Sequence, residues 1–413
     1  MKGETTMLKE ISGGVCAARG FRAAGVHCGV KAGSSPDKND LAMILSEKEC
    51  TAAATYTLNR VKAAPLYVTM DHLENGVAWG VVANSGNANA CCPMSHENAE
   101  AMCAAAAAAT GREPEDFVVA STGVIGQTIN IAAIQAGTPA LAAALNADGS
   151  DAAARAIMTT DTVKKEIAVS LTIGGKEVRL GAIAKGSGMI HPNMGTMLVF
   201  VTTDCAVTHE MLEDALREVV SKTFNRVTVD GDTSTNDMCV VLANGMAGNA
   251  LIEWKDEDYE TFKASLDHVC RTLSRAIAGD GEGASKLVTC KMTGARSEDS
   301  AERLAKAVVG SSLVKAAMFG SDANWGRVLC AMGYSKAPFR PERVDVTFQS
   351  SAGEILVCRQ GEQVEFDEDK AKEILSQKEV VIAVDLNEGE ESAECWGCDL
   401  TYDYVKINGD YRT

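Results

Sequence analysis

Apolar residues recur along this 413-residue chain at two spacings, and each spacing predicts one kind of element. In residues 209–222, Leu212, Leu216 and Val219 return every three or four positions, which is typical of a helix that buries one face. Thr208, directly before this segment, is a suitable N-cap because its hydroxyl can accept a hydrogen bond from the first helical turn. Further helices are predicted at 96–110, where alanine dominates, and at 257–277 and 299–309.

Continuous or alternating apolar runs predict the strands. We expect strands at 166–172, 197–203, 226–230, 344–349, 379–385 and 402–407. Helices and strands mix along the chain without a strict strand–helix–strand alternation. This order predicts an α/β fold of the layered α+β kind, in which helices cover the sheets.

Composition and charge then narrow the function classes. The chain is 46% apolar and 23% charged, which is ordinary for a globular protein. Its formal charge is −17 and no Lys/Arg cluster stands out, which argues against binding to nucleic acid or to an anionic membrane surface. The N-terminus lacks the apolar core of a secretory signal, and no apolar run is long enough to span a membrane. We therefore expect a cytoplasmic protein.

The cysteine and histidine patterns predict neither disulfides nor a metal site. The 14 cysteines have no disulfide-framework spacing, and Cys103 and Cys330 lie in apolar runs, where a free cysteine acts as a small buried hydrophobe. Cys395 and Cys398 form a lone C-x-x-C without the second pair that a zinc ribbon needs. The six histidines show no ligand spacing, so we expect structural cysteines and no metal.

The abrupt change from loop to apolar strand after Gly195 points to chemistry at Thr196. A threonine hydroxyl is a weak nucleophile, but a free α-amine on the same residue, with a pKa of about 7.7–8.0, can act as its base. Cleavage of the Gly195–Thr196 bond would expose that amine, and glycine leaves its carbonyl open to attack. We hypothesise that Thr196 attacks this carbonyl and that water then releases the new N-terminus. The plainer interpretation is a turn glycine followed by the first residue of a strand.

Three other segments carry residue types suited to acyl transfer. The Thr122 hydroxyl and the Gly123 N–H, in a loop after an apolar run, could stabilise an oxyanion, although the same residues suit a plain turn. Lys185, in a glycine-flanked loop, could hold a substrate carboxylate, or it could be a solvated lysine. Glu282 lies among glycines and could pair with the amine of an amino acid.

Eight sequence blocks together resemble the ornithine acetyltransferase family, also called glutamate N-acetyltransferase. The segment KGSGMIHPNMGTML closely resembles the self-cleavage motif of that family, with Gly195 where the family usually has alanine. The other blocks appear in family order over essentially the whole chain: GFRAAGVHCGVK, NSGNANAC, STGVIG, MTTDT, FNRVTVDGDTSTND, GDGEGASK and CDLTYDYVKINGDYRT. A combination of this extent is highly specific.

The resemblance implies an enzyme that cleaves itself into an α chain of residues 1–195 and a β chain of residues 196–413, which stay packed as one unit. The fold would be similar to that of the self-cleaving aminopeptidases, and two α and two β chains would assemble. The reaction would be ping-pong acetyl transfer from N-acetylornithine to glutamate, without a cofactor, in arginine biosynthesis. Some members of the family also use acetyl-CoA as donor, and the sequence leaves that choice open.

The same resemblance implies the roles of individual residues. The nucleophile would be Thr196, and Thr122 and Gly123 would form the oxyanion hole. The implied substrate-binding residues are Thr159, Lys185, Thr196, Glu282, Asn408 and Thr413.

Two other functions stay open at this stage. A self-cleaved amidohydrolase or aminopeptidase would use the same nucleophile but would pass the acyl group to water. An uncleaved small-molecule-binding protein would keep Thr196 buried in a strand.

Overall fold

The computed structural model describes residues 8–31, 33–191 and 197–410. In these residues helices pack against two sheets, which confirms the predicted layered α/β fold. The strands are β1 (Lys9–Ile11), β2 (Phe21–Val26), β3 (Leu41–Tyr56), β4 (Val77–Asn84), β5 (Phe117–Ser121), β6 (Lys165–Ile173), β7 (Lys176–Lys185), β8 (Leu198–Thr203), β9 (Val227–Thr228), β10 (Met238–Ala243), β11 (Leu287–Ala295), β12 (Asp345–Ser350), β13 (Gly353–Arg359), β14 (Glu362–Gln363), β15 (Glu379–Asp385) and β16 (Glu391–Cys398). The helices are α1 (Ala64–His72), α2 (Ser95–Thr110), α3 (Ile131–Ala143), α4 (Ser150–Ala156), α5 (His209–Lys222), α6 (Glu257–Gly279), α7 (Glu298–Gly310), α8 (Ser312–Phe319), α9 (Trp325–Gly333), α10 (Glu368–Leu375) and α11 (Tyr402–Asp410).

The first sheet has the strand order β1-β6-β7-β8-β10-β3-β4-β5, and β2 also pairs with the long strand β3. Strand β8 runs antiparallel to β7 and parallel to β10, so that Leu198 lies opposite both Lys185 and Met238. All of its residues are buried, because helices cover both faces of the sheet at this point. This position in the sheet explains the uninterrupted apolar run that follows Thr196 in the sequence.

The second sheet has the strand order β14-β13-β12-β15-β11-β16-β9. Helices α7 to α10 cover it and share one apolar core with it, to which Leu304, Val328 and Ile374 belong. Helix α6 packs against the first sheet, and Trp396 of β16 in the second sheet joins the same core. The two sheets are therefore connected through α6 and its apolar contacts.

Most predicted elements are confirmed within one or two residues. Thr208 caps α5, since its side chain accepts a hydrogen bond from the N–H of Met211. Gly111 follows α2 in the left-handed conformation with a φ of 69°, which glycine adopts without strain. Of the strand predicted at 226–230, only Val227–Thr228 forms, because Phe224–Arg226 is a short 3-10 helix.

The strand predicted at 402–407 is wrong, since these residues belong to α11. The alternation of Tyr402, Tyr404 and their polar neighbours has the two-residue period that is typical of a strand. The hydroxyl of Thr401 accepts a hydrogen bond from the N–H of Tyr404 and so stabilises a helical start. Tyr402 and Val405 are exposed, so the alternation does not separate a buried face from a solvent face.

The cysteine expectations have a mixed outcome. Cys103, Cys395 and Cys398 are buried free thiols, as predicted. Cys330 is exposed on α9, so the prediction that it is a buried hydrophobe is wrong, because its apolar neighbours Val328 and Ala331 take the buried face. Among the helices that the described residues form, none combines the length and apolarity needed to cross a bilayer.

Candidate active site

One pocket of about 340 Å³ gathers the predicted site residues that the structure describes. These residues are Thr122, Gly123, Thr159, Lys185, Glu282 and Asn408. Met197, which is bonded to the predicted nucleophile Thr196, lines the same pocket. Gly195, Thr196 and Thr413 lie outside the described residues.

Lys185 lies at the centre of this arrangement. It is the last residue of β7 and is buried, so the expectation of a lysine in a loop is wrong. Its Nζ donates to Thr159 Oγ1 at 2.8 Å and to Thr122 Oγ1 at 3.4 Å. Burial lowers the pKa of Lys185, while the nearby Asp161 carboxylate opposes this effect. Two threonines from separate segments are thus held around one buried amine.

The loop after β5 leaves two hydrogen-bond donors available to a ligand. The N–H of Thr122 donates to the carbonyl of Asn84 at 2.9 Å, so this residue offers its hydroxyl. The N–H of Gly123 makes no hydrogen bond to a described residue. Gly123 has a φ of +129°, and a Cβ there would lie 2.9 Å from the backbone nitrogen of Asn87. Only glycine fits this position without strain, and the arrangement suits an oxyanion hole.

Buried amides that the sequence analysis missed hold this loop in place. Asn236 donates through Nδ2 to the carbonyls of Ala88 and Ser121 at 2.6 and 2.8 Å. Asn84 donates through Nδ2 to the Ser121 hydroxyl at 2.7 Å. Asn84 is the last residue of the apolar strand β4, and Asn236 lies two residues before the apolar strand β10. An amide beside an apolar run is the sequence signal that could have identified them.

Glu282 and Asn408 meet at the pocket although 126 positions separate them in the sequence. Asn408, on α11, donates through Nδ2 to Glu282 Oε2 at 2.7 Å. The N–H of Glu282 donates to the carbonyl of Ser187 at 3.0 Å. Gly188 packs directly over the carboxylate, because a Cβ at this position would lie 2.3 Å from Glu282 Cδ. A carboxylate held in this way can accept the amine of a ligand.

A buried ion group that the sequence analysis also missed supports the floor of the pocket. Lys165 Nζ lies 2.7 Å from Asp161 Oδ1 and 2.6 Å from Asp280 Oδ2. Asp161 also accepts the N–H groups of Thr159 and Gly186, at 3.1 and 2.7 Å. Burial alone would raise the pKa of Asp161, but the charges of Lys185 and Lys165 outweigh it and lower the pKa to about 2.

The segment that leads towards the predicted cleavage point is fixed by its neighbours. Asp230 accepts the N–H groups of Met189 and Ile190 at 2.6 and 2.8 Å. Thr233 donates from its hydroxyl to the carbonyl of His191 at 2.8 Å. Burial lowers the pKa of His191 to about 4, so its imidazole is neutral near pH 7. The chain is therefore held firmly up to His191.

Comparisons with known proteins identify one family model, curated relatives and solved structures that are similar to this chain. The ArgJ family model matches residues 22–413. The arginine biosynthesis bifunctional protein ArgJ of Symbiobacterium thermophilum is 53% identical over 404 residues, which cover 98% of this chain and 99% of that protein. The crystal structure of the protein of the same name from Bacillus halodurans is 45% identical, with a TM-score of 0.49, and covers 51% of this chain and 98% of that chain. Ornithine acetyltransferase of Mycobacterium tuberculosis, complexed with ornithine, is 36% identical, with a TM-score of 0.41, and covers 47% of this chain and 100% of that chain.

The close approach of Gly188 to Glu282 gives a testable prediction. In Gly188→Ala, the new Cβ displaces the carboxylate, and we expect binding of an amino acid such as ornithine to weaken by about 10- to 100-fold, as for loss of one hydrogen bond to a charged group. Isothermal titration calorimetry measures this directly. Gly333→Ala is the matched control, because a Cβ there meets nothing within 4 Å. Wild-type affinity in Gly188→Ala would contradict the role of Glu282.

Proposed function

Because this chain belongs to the ArgJ family, we propose that it transfers the acetyl group of N-acetylornithine to glutamate through an ester on Thr196. Family membership makes the chain an acyltransferase of arginine biosynthesis. One shared pocket supports the proposed substrates and the role of Thr196. Oxyanion donors, a buried lysine and a carboxylate line this pocket together with Met197, the residue bonded to Thr196.

The proposal includes self-cleavage between Gly195 and Thr196, which gives an α chain of residues 1–195 and a β chain of residues 196–413. The first sheet supports the view that the two chains stay together. Strand β8 of the later part pairs with β7 of the earlier part, and β10 pairs with β3. Separation would expose these buried strands and break both ladders. From the family resemblance we extend the proposal to an assembly of two α and two β chains.

In the first half-reaction, Thr196 Oγ attacks the acetyl carbonyl while the α-amine of Thr196 takes the hydroxyl proton. The Thr122 hydroxyl and the Gly123 N–H stabilise the developing oxyanion. The α-amine passes the proton to the leaving nitrogen of ornithine, and the acetyl group remains on Thr196 as an ester. Glu282 pairs with a substrate amine, and Lys185 attracts a substrate carboxylate.

In the second half-reaction, the amine of glutamate attacks the Thr196 ester and leaves as N-acetylglutamate. Donor and acceptor use the same pocket in turn, which is the basis of the ping-pong order. Both steps are nucleophilic acyl transfers, so the proposal requires no cofactor. The word "bifunctional" in the name of the S. thermophilum relative supports an extension to acetyl-CoA as a second donor to the same ester.

We also propose a cytoplasmic location for this enzyme. The cysteines are free thiols, and those of the cores, such as Cys103 and Cys290, are buried. A chain of this kind suits a reducing compartment, where disulfides rarely persist.

Self-cleavage is tested by Thr196→Ala. We expect wild-type protein to give two fragments on a denaturing gel, of which the larger, residues 196–413, begins at Thr196. The variant should remain a single 43.4 kDa chain. Thr172→Ala is the control, because Thr172 is an exposed strand threonine remote from the pocket. Splitting of Thr196→Ala at the same bond, or a wild-type chain that stays whole, would contradict the proposal.

The identity of the acyl acceptor is tested by product analysis. With N-acetylornithine alone we expect each active site to release no more than one ornithine, because the acetyl group stays on Thr196 until an acceptor attacks the ester. Addition of glutamate should start turnover and give N-acetylglutamate equal in amount to ornithine, measured by liquid chromatography. Continuous acetate release without glutamate would instead favour an amidohydrolase.

A further inference from the structure

The segment between β3 and α1, residues 57–63, lies beside the pocket, and the mechanism above does not use it. The Thr57 hydroxyl donates to the carbonyl of Ser234 at 3.1 Å, and the N–H of Ala63 donates to the carbonyl of Thr235 at 2.9 Å. Both Ser234 and Thr235 line the pocket. Because the two ends of the segment are bonded to the pocket wall, we call it the rim segment.

The rim segment is a fixed loop. Asn59, in its middle, donates through Nδ2 to the carbonyl of Thr233 at 2.8 Å. Ala63, at its end, is fully buried and packs in a small apolar cluster with Ala88 and Ile125, which also line the pocket. The segment therefore contacts two separate parts of the pocket wall, and its side chains stand at defined positions beside the opening.

Two positive charges on the rim segment have no ion-pair partner among the described residues. Arg60 is exposed, and the partner of Lys62 Nζ is the backbone carbonyl of Asn59, at 3.2 Å. The sequence contains no Asp or Glu at residues 50–70. Because the chain as a whole has a formal charge of −17, this local pair of cations attracts an anionic group that the rest of the surface repels.

The rim segment also exposes two large apolar side chains, Leu58 at 57% and Val61 at 51%. A ligand that fits both the pocket and the rim has an acyl end for the oxyanion donors, an apolar arm and anionic groups at its far end. A coenzyme A thioester has these three parts in this order. The pocket of about 340 Å³ holds the acyl end, so the phosphate groups of such a ligand lie outside it, at the rim.

We propose that Arg60 and Lys62 bind the phosphate groups of coenzyme A while the acetyl thioester lies in the pocket. The inference rests on the proposed use of acetyl-CoA as second donor. The Arg60 guanidinium suits two parallel hydrogen bonds to one phosphate, and the Lys62 ammonium adds a point charge. In the transfer itself the ester C–O bond to Thr196 forms, the C–S bond breaks, and the hydroxyl proton leaves on the thiol of coenzyme A. The rim segment contributes binding and takes no part in that step.

The test compares two donors that differ in their phosphate groups, acetyl-CoA and S-acetylpantetheine, with glutamate as acceptor. In wild-type enzyme kcat/KM should be about 10- to 100-fold higher for acetyl-CoA, as for hydrogen bonds to a charged group. In the double variant Arg60→Gln, Lys62→Gln, kcat/KM for acetyl-CoA should fall to the value for S-acetylpantetheine. The values for S-acetylpantetheine and for N-acetylornithine should stay at the wild-type level, because neither donor carries a phosphate.

Lys176→Gln is the matched control, because Lys176 is exposed at the end of β7 opposite Lys185. This variant should keep the wild-type preference for acetyl-CoA. An unchanged preference in the double variant, or an equal fall with both thioesters, would overturn the inference. If the double variant also loses N-acetylornithine turnover through misfolding, the single variant Arg60→Gln decides by the same comparison.

The same measurements separate the inference from its premises. Wild-type enzyme that transfers acetyl from N-acetylornithine but not from acetyl-CoA would overturn the phosphate site and the acetyl-CoA extension together. It would leave the transfer from N-acetylornithine to glutamate intact. Absence of transfer from N-acetylornithine in wild-type enzyme would instead overturn the proposed function itself.

Discussion

Lys165 carries a buried positive charge between two aspartates that come from opposite sides of the proposed cleavage point. Asp161 and Lys165 belong to the part before Thr196, and Asp280 belongs to the part after it. The Lys165 side chain is 1% exposed, and loss of Lys165 would leave the buried Asp280 carboxylate without the cation that neutralises it, at a cost of about 3–5 kcal/mol. The same carboxylates hold Thr159, Thr162 and Gly186 through backbone N–H groups. This ion group therefore holds pocket residues in place and joins the parts of the chain on the two sides of the proposed cleavage point.

The chemistry of the pocket follows from local charges and not from the net charge of the chain. Although the formal charge is −17, the buried Lys185 lies at the pocket between the hydroxyls of Thr159 and Thr122. Glu282 stands in a separate segment of the pocket wall, supported by Asn408. A substrate that carries both an amine and a carboxylate meets complementary groups already held in place. In the proposed reaction, such preorganisation would lower the cost of forming the oxyanion, because little would have to move.

The sequence predicted the pocket residues better than the contacts that hold them. Thr122, Lys185 and Glu282 belong to recognisable blocks, and the structure brings all three to one cavity. The Lys165–Asp280 contact spans 115 positions, and no local pattern reveals a pair at that separation. Lysine at the start of a strand is usually solvated, so its burial depends on tertiary partners that a sequence window does not contain.

The strand prediction for the C-terminal residues 402–407 was wrong for a different reason. The alternation of aromatic and polar residues in this segment met the criterion for a strand. The segment is instead the helix α11, which carries Asn408, because Thr401 caps its start and the alternation buries neither face. The roles of Thr196 and Thr413 stay predictions, since both residues lie outside the described ranges.

The most direct test of the account is to find the acetyl group on the enzyme itself. Protein is mixed briefly with N-acetylornithine without glutamate, quenched in acid and mapped by mass spectrometry of its peptides. We expect one acetyl group on the peptide that begins at Thr196, bound as an ester that hydroxylamine removes and that glutamate discharges. An active enzyme whose residues 195 and 196 remain joined, or whose acetyl group sits on another side chain, would contradict it.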